Sequence, residues 1–353
     1  MLDLALALRA LGVSPTLVCP SAGALAQRGR AADIPVVSLE KRSTIDASAI
    51  GFLACLWRTG AYDVLHAHNG RMAFHAALAR LVAGRGSLVA TQHFLTPARA
   101  ERRGMARRVG QCLHSFTGRF IDRQIAISRA VADAMLARQE VPLAKLRMVH
   151  NGIHDPRLLP LFAKEETRRR FDVPESARLI VCLARLEPEK GLDTLVDAMK
   201  EVVDRLPEAY CLIAGRGKLE EQLQARIEAT ASTNVRLLGF VEDSLSLLLA
   251  ADLCVLPSVA EPFGLSLVEA MALAVPVVST RAGGPVEIVR EGEAGFLVPP
   301  GKPKELAAAI LAVLKNPTQV STMGQSARND FLTRFTAERM ARQTLTVYQE
   351  VTA

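Results

Sequence analysis

The sequence predicts an α/β protein built of two doubly wound, Rossmann-like domains. Three observations predict it. From Arg178 onward, short apolar runs alternate with amphipathic stretches, the pattern of βαβ units around a parallel sheet. Residues 1–160 show the same alternation less regularly. Between the halves, Val149-His-Asn-Gly-Ile followed by Asp155-Pro and Leu159-Pro reads as a turn and linker. Domains are therefore expected at 1–160 and 161–335. A closing helix in 336–353 follows, and the pattern leaves open whether it crosses back to the first domain.

In the front half a helix is expected over Leu2–Leu11, and strands near Pro15–Cys19, Val36–Leu39, Asp63–Ala67, Ser87–Thr91 and Gln124–Ile127. Met1 opens directly into the first helix with no cap residue ahead of it, so this domain reads as lacking its first strand. Either the start lies upstream or the domain is shortened. In the rear half, strands are expected at Leu179–Ala184, Tyr210–Ala214, Val235–Leu238, Asp252–Leu256, Val275–Ser279 and Phe296–Val298. Helices are expected over Leu192–Val203, Leu219–Thr230 and Leu265–Ala274, with two more from about Thr318, the last spanning Ala337–Glu350. Two such domains would turn their strand ends toward a shared cleft, and ligands bind at such ends where the connections part.

Composition narrows the function classes. With 353 residues, half of them hydrophobic, the chain is globular and long enough for two cores. One tryptophan argues against a stacking platform for nucleic acid. No run approaches the ~18 apolar residues of a membrane span, and the start lacks the basic leader of a signal peptide. The cysteines at 19, 55, 112, 182, 211 and 254 show no zinc spacing. They read as small core residues of a reducing cytoplasm. Charge is lopsided: residues 1–160 hold 21 Lys/Arg against 10 Asp/Glu, leaving 22 against 26 behind them. The front half should therefore seek anionic surfaces. Its segment 98–123 mixes arginines with Met105, Val109, Leu113, Phe116 and Phe120 at helical spacing. That suits either peripheral contact with an anionic membrane or an ordinary solvated helix.

The chemistry concentrates in Pro257-Ser-Val-Ala-Glu261-Pro-Phe-Gly-Leu-Ser-Leu-Val-Glu269. Glu261 falls in the loop after a strand and Glu269 just inside the next helix. The helix N–H groups near Gly264, Leu265 and Ser266 make an anion site, and carboxylates beside it accept hydrogen bonds from hydroxyls. Phosphate next to polyol suggests a nucleotide sugar. The bland alternatives are a solvated loop glutamate and a dipole-favoured helix glutamate. Arg185-Leu-Glu-Pro-Glu-Lys190 follows another strand and fits a diphosphate clamp, unless Glu187 and Glu189 neutralise it. Gly215 in Gly-Arg-Gly-Lys permits close backbone approach, as does Gly283-Gly284-Pro285 with Glu287 behind it, which equally reads as a helix start. In the front half His66 and His68 share one face of a strand end, and His93 follows another strand. His66 reads better as a satisfied core histidine, and His93 fits either packing or contact with a sugar hydroxyl. No cluster has metal spacing.

Together these motifs resemble the retaining glycosyltransferases of the GT-B fold, family 4, over nearly the whole chain. Arg185-x4-Lys190, Glu261-x7-Glu269, Phe263-Gly264-Leu265, Gly283-Gly284-Pro285-Val286-Glu287 and Asn151-Gly152 carry the resemblance. It implies that Glu269 holds ribose hydroxyls, that Glu261 contacts the donor sugar, and that the Phe263–Leu265 backbone approaches sugar and phosphate. Arg185 and Lys190 would clamp the leaving diphosphate, Gly215 would lie near the base, and His93 would face the sugar from the acceptor domain. The implied activity transfers a sugar from a UDP- or GDP-sugar to a glycan or lipid-linked acceptor of envelope or lipopolysaccharide assembly. No cofactor or metal is expected, nor a nucleic-acid partner. A sugar-nucleotide epimerase of the same architecture and a nucleotide-sugar-binding protein without turnover are the alternatives.

Overall fold

A computed structural model describes residues 1–40, 45–95, 116–230 and 233–352. The chain divides into two compact units, Met1–His154 with Ala337–Ala353 in one and Asp155–Thr336 in the other. All paired strands in both are parallel.

The first unit opens on α1 (Leu2–Ala10), where Met1 supplies no side-chain cap. Then come β1 (Leu17–Cys19), α2 (Ala24–Ala31) and β2 (Val36–Ser38), and the two strands pair with each other alone. A separate four-stranded sheet is assembled from α3 (Ala47–Arg58), β3 (Val64–Ala67), α4 (Gly70–Ala83), β4 (Ser87–Gln92), β5 (Arg123–Ala126), α5 (Arg129–Ala137) and β6 (Leu146–Met148), in the order β3-β4-β5-β6. Among the described residues, β1 and β2 thus form a sheet apart from β3–β6. β6 carries no apolar run that would announce it. Side-chain caps fix the helix starts. Asp46 accepts from the N–H groups of Ser48 and Ala49, Asn69 from Met72, and Ser128 from Val131. Asn69 therefore ends the β3 segment sharply, one residue after His68.

The second unit runs α6 (Lys164–Arg170), β7 (Arg178–Leu183), α7 (Leu192–Arg205), β8 (Ala209–Ala214), α8 (Glu220–Glu228), β9 (Val235–Gly239), α9 (Ser244–Ala250), β10 (Leu253–Leu256), α10 (Leu265–Ala272), β11 (Val277–Thr280), α11 (Pro285–Ile288), β12 (Gly295–Val298), α12 (Pro303–Leu314) and α13 (Pro317–Arg334). Its strands form one sheet in the order β12-β11-β10-β7-β8-β9. The central strands are apolar throughout because both faces are covered. Ile180, Cys211, Leu253 and Val255 pack with Leu195, Met199 and Val202 of α7 and Ile310 of α12. Asp252, just ahead of β10, accepts from the Leu179 N–H at 2.8 Å and pairs with the buried Arg168 at 2.7 Å. One carboxylate thus ties the starts of β7 and β10.

The chain then returns to the first unit as α14 (Ala337–Thr352). Ala337, Met340, Ala341, Thr344 and Val347 line its buried face at helical spacing, in a cluster with Leu4, Leu8, Val89 and Ile125. Arg147 and Arg123 both bond Glu350 and hold its carboxyl down at about 2. Among the described residues, no helix is long and apolar enough to cross a membrane.

Replacing Asp252 by alanine would leave Arg168 buried without its counter-charge. The second unit is expected to lose about 3–5 kcal/mol, read as a lowered urea midpoint by circular dichroism.

Candidate functional site

In the second unit the connections from β7 lead outward through β8 and β9, then return across the sheet to β10. The loops after β7 and β10 therefore part at adjacent strand ends, where open α/β sheets bind ligands. Here the two loops are stitched together. The Glu189 carbonyl accepts from the N–H groups of Val259 at 2.9 Å and Ala260 at 3.3 Å. Gly191 closes the first loop at φ +58°, and a Cβ there would lie 2.4 Å from the Pro257 carbonyl oxygen. Only glycine lets the loops approach so closely, and that approach brings Lys190 to Glu261.

Glu261 is 5% exposed, which excludes a solvated loop glutamate. Its backbone bridges to Gly283: its N–H donates to Ala282 O at 3.0 Å, and its carbonyl accepts from Gly284 N at 2.9 Å. Its Oε2 accepts from Lys190 Nζ at 2.7 Å and from Ser258 Oγ at 2.9 Å. Ser258 is fully buried, and its carbonyl accepts in turn from Thr280 Oγ1. Oε1 carries no hydrogen bond among the described residues. A desolvated ion pair of this kind is a poor device for stability. It is a good device for holding two opposite charges at a fixed spacing.

The loop continues through Phe263, whose ring is buried edge-on against Phe335 at 6.1 Å, so only its backbone is left for a ligand. Gly264 takes φ +110° as the N-cap of α10 and offers no side-chain cap. The first N–H groups of α10 are thus left for an anion. Glu269, half-buried, is the fifth residue of that helix. Arg185 shares the loop of Lys190 but is largely exposed and pairs with Glu189 at 2.8 Å, a surface pair of small worth. Gly215 directly follows β8, and its φ of +146° lets it lie against Ala184 O, 1.9 Å from where a Cβ would stand. Gly284 caps α11 with Pro285 at its first turn, so the helix-start reading of that loop holds, and the glycine packs on the Phe263 backbone. Sequence reasoning missed Ser258 and Thr280. The Ser-x-x-Glu spacing was the available signal.

In the first unit the structure gathers three histidines at the ends of β3 and β4. His66 bonds the Tyr348 hydroxyl through Nδ1 and the Thr91 hydroxyl through Nε2, each at 2.7 Å. It is the satisfied histidine expected. His68 lies against it, with ring centroids 4.1 Å apart, and bonds His93 through Nδ1 and Nε2 at 3.2 Å. Burial pushes His66 down to about 3 and His93 to about 4, so both are neutral at pH 7. Most of the basic segment, residues 98–115, lies outside the described residues. Phe116 and Phe120 at its end contact each other.

Residues 163–330 match the family model of glycosyl transferases group 1, and residues 1–157 that of glycosyltransferase family 4. A glycogen synthase of Mycobacterium tuberculosis is 31% identical over 298 residues, 83% of this chain and 69% of that protein. The chain belongs to glycosyltransferase family 4. A further relative, the uncharacterized glycosyltransferase MJ1607 of Methanocaldococcus jannaschii, is 30% identical over 231 residues, 64% of this chain and 59% of its own length. The chain spans less than half of two further relatives. The crystal structure of Anabaena HepE in complex with UDP-glucose superposes with a TM-score of 0.82 at 26% identity, covering 99% of this chain and 94% of that one. The fold is accordingly GT-B.

Two outcomes are expected. Gly284→Ala should destabilise the second unit, because its Cβ would stand 2.4 Å from Phe263 Cα, backbone that has nowhere to move; a lowered melting temperature checks this. The first unit should weaken in acid. Unfolded histidine takes up a proton below about pH 6.5, whereas folded His66 and His93 resist until about 3 and about 4. Stability is therefore full above pH 6.5 and falls between there and about pH 3. The single tryptophan, buried Trp57, reports on this unit by fluorescence.

Proposed function

We propose that this chain is a retaining glycosyltransferase that moves a sugar from a nucleotide diphosphate sugar to a glycan or lipid-linked acceptor. The observation that carries the proposal is the Lys190–Glu261 pair at the switch point of the second unit's sheet. A sugar phosphate presents hydroxyls beside anionic oxygens, and the pair presents an acceptor beside a cation. An ammonium has three donors, so Lys190 can bond Glu261 and still offer two N–H groups to phosphate. Oε1 of Glu261 accepts from a sugar hydroxyl. The N–H groups of Gly264, Leu265 and Ser266 meet the diphosphate, Arg185 adds its fork on leaving Glu189, and Glu269 accepts from the ribose. Gly215 lies toward the base.

In the reaction the bond from the anomeric carbon to the phosphate oxygen breaks and the nucleoside diphosphate departs. The acceptor oxygen bonds to the same face of that carbon, and its proton passes to a departing phosphate oxygen. Charge grows on phosphate, where Lys190 and the helix N-terminus are already fixed and Arg185 joins them, so positive charge at that point needs no metal. His93, neutral, serves the acceptor side in the first unit. The HepE complex supports testing UDP-sugars first, with GDP-sugars as the second arm. Envelope or lipopolysaccharide assembly on the cytoplasmic side, with peripheral membrane contact through 98–123, is the context we propose.

Thermal shift against UDP, UDP-glucose, GDP and GDP-mannose should raise the melting temperature with one nucleotide class. Lys190→Ala should then slow diphosphate release by about 10²–10³. Glu269→Ala should weaken nucleotide binding, while Glu261→Ala chiefly lowers turnover. Wild-type kinetics in all three variants would sink the proposal.

A further inference from the structure

His68 has no role in the reading above, yet it occupies the middle of the histidine layer. One face lies on His66, with ring centroids 4.1 Å apart, and His66 is fixed from two sides by Tyr348 of α14 and Thr91 of β4. Its other neighbour is His93, nearly parallel at 23° with centroids 5.5 Å apart. Asn69, the cap of α4, follows it directly and limits where its backbone can go. His68 therefore has a fixed partner at its back and a hydrogen bond at its front.

We infer that His68 is a positioning residue, whose Nδ1 at 3.2 Å from His93 Nε2 decides which nitrogen of His93 carries the proton. A neutral imidazole has one N–H and one lone pair, so a hydrogen bond between two of them uses one proton and locks both tautomers together. If His93 Nε2–H donates, its Nδ1 is a bare acceptor. If His68 donates, His93 Nδ1 bears the hydrogen and donates. In either case the His68 contact sets what Nδ1 of His93 offers to a hydroxyl, and that nitrogen has no partner among the described residues. Were His68 mere packing, an aromatic ring without nitrogens would fill its place and spare the desolvation of two polar rings. The catalytic consequence rests on the proposed acceptor-side role of His93.

The test compares His68→Phe, which keeps a ring but no nitrogen, with His68→Asn, which restores a hydrogen-bonding group near the position of Nδ1. Imidazole ¹⁵N shifts of the full-length protein report the His93 tautomer directly. His68→Phe is expected to replace one defined tautomer by an averaged pattern, and His68→Asn to keep it. For release of UDP from UDP-glucose, His68→Phe should lower kcat about 10-fold or more with KM unchanged, and His68→Asn should recover most of that loss. An unaltered His93 pattern in His68→Phe overturns the inference whatever the rates. An altered pattern with wild-type turnover in both His68→Phe and His93→Ala upholds the positioning role and instead overturns the acceptor-side role of His93.

Discussion

The second unit's site depends on one constraint: two loops from neighbouring strands are drawn close enough for Lys190 to reach Glu261. That closeness is built from backbone. The Glu189 carbonyl takes two N–H groups from the facing loop, and Gly191 admits the Pro257 carbonyl where any side chain would collide. Glu261 is then held at both its backbone and its carboxylate, by residues 282–284 and by Ser258. A charge pair so enclosed gains little free energy overall, since desolvation offsets most of its attraction. What it gains is a fixed geometry, with one carboxylate oxygen and most of an ammonium's donors left for something else. The arrangement is thus organised before a ligand arrives, which is how electrostatic stabilisation of a leaving group avoids reorganisation during the reaction.

The first unit uses a different device. Its histidines are neutral because they are buried, and each is oriented by the next. A neutral ring can donate and accept hydrogen bonds but carries no charge. The second unit holds fixed charges in Lys190 and Glu261, whereas the first holds uncharged imidazoles.

Much of this was legible in the sequence. In the second unit the strands, and those helices that were expected, fall within a few residues of expectation, because continuous apolar runs between Gly and Pro punctuation mark buried parallel strands strongly. The motifs Arg185-x4-Lys190 and Glu261-x7-Glu269 pointed to the two loops that the structure brings together at Lys190 and Glu261. The partner of each charge was not legible. Both cations looked alike in one loop, yet Lys190 turns inward to Glu261 while Arg185 stays outside on Glu189. That difference is set by the stitching of two loops seventy residues apart. Ser258 and Thr280 were passed over for a similar reason, as hydroxyls show their purpose only through their partners. In the first unit β6 went unseen because it is short and half exposed, and the division of the sheet is a matter of pairing that periodicity does not encode. His68 was placed beside His66 by strand alternation, but its bond to His93 joins two different strands.

The route of the backbone has a consequence for how the molecule is made. Residues 155–336 form a continuous stretch between the two portions of the first unit, and α14 supplies part of the core around Val89 and Ile125. On the ribosome the inner unit is complete before the outer one has received its last helix. Leu4, Leu8 and Val89 stay short of their covering until the sixteen-residue α14 is synthesised. The usual tendency for the first domain translated to fold first meets an obstacle here, because the core around Val89 and Ile125 is complete only once residues 155–336 have been made.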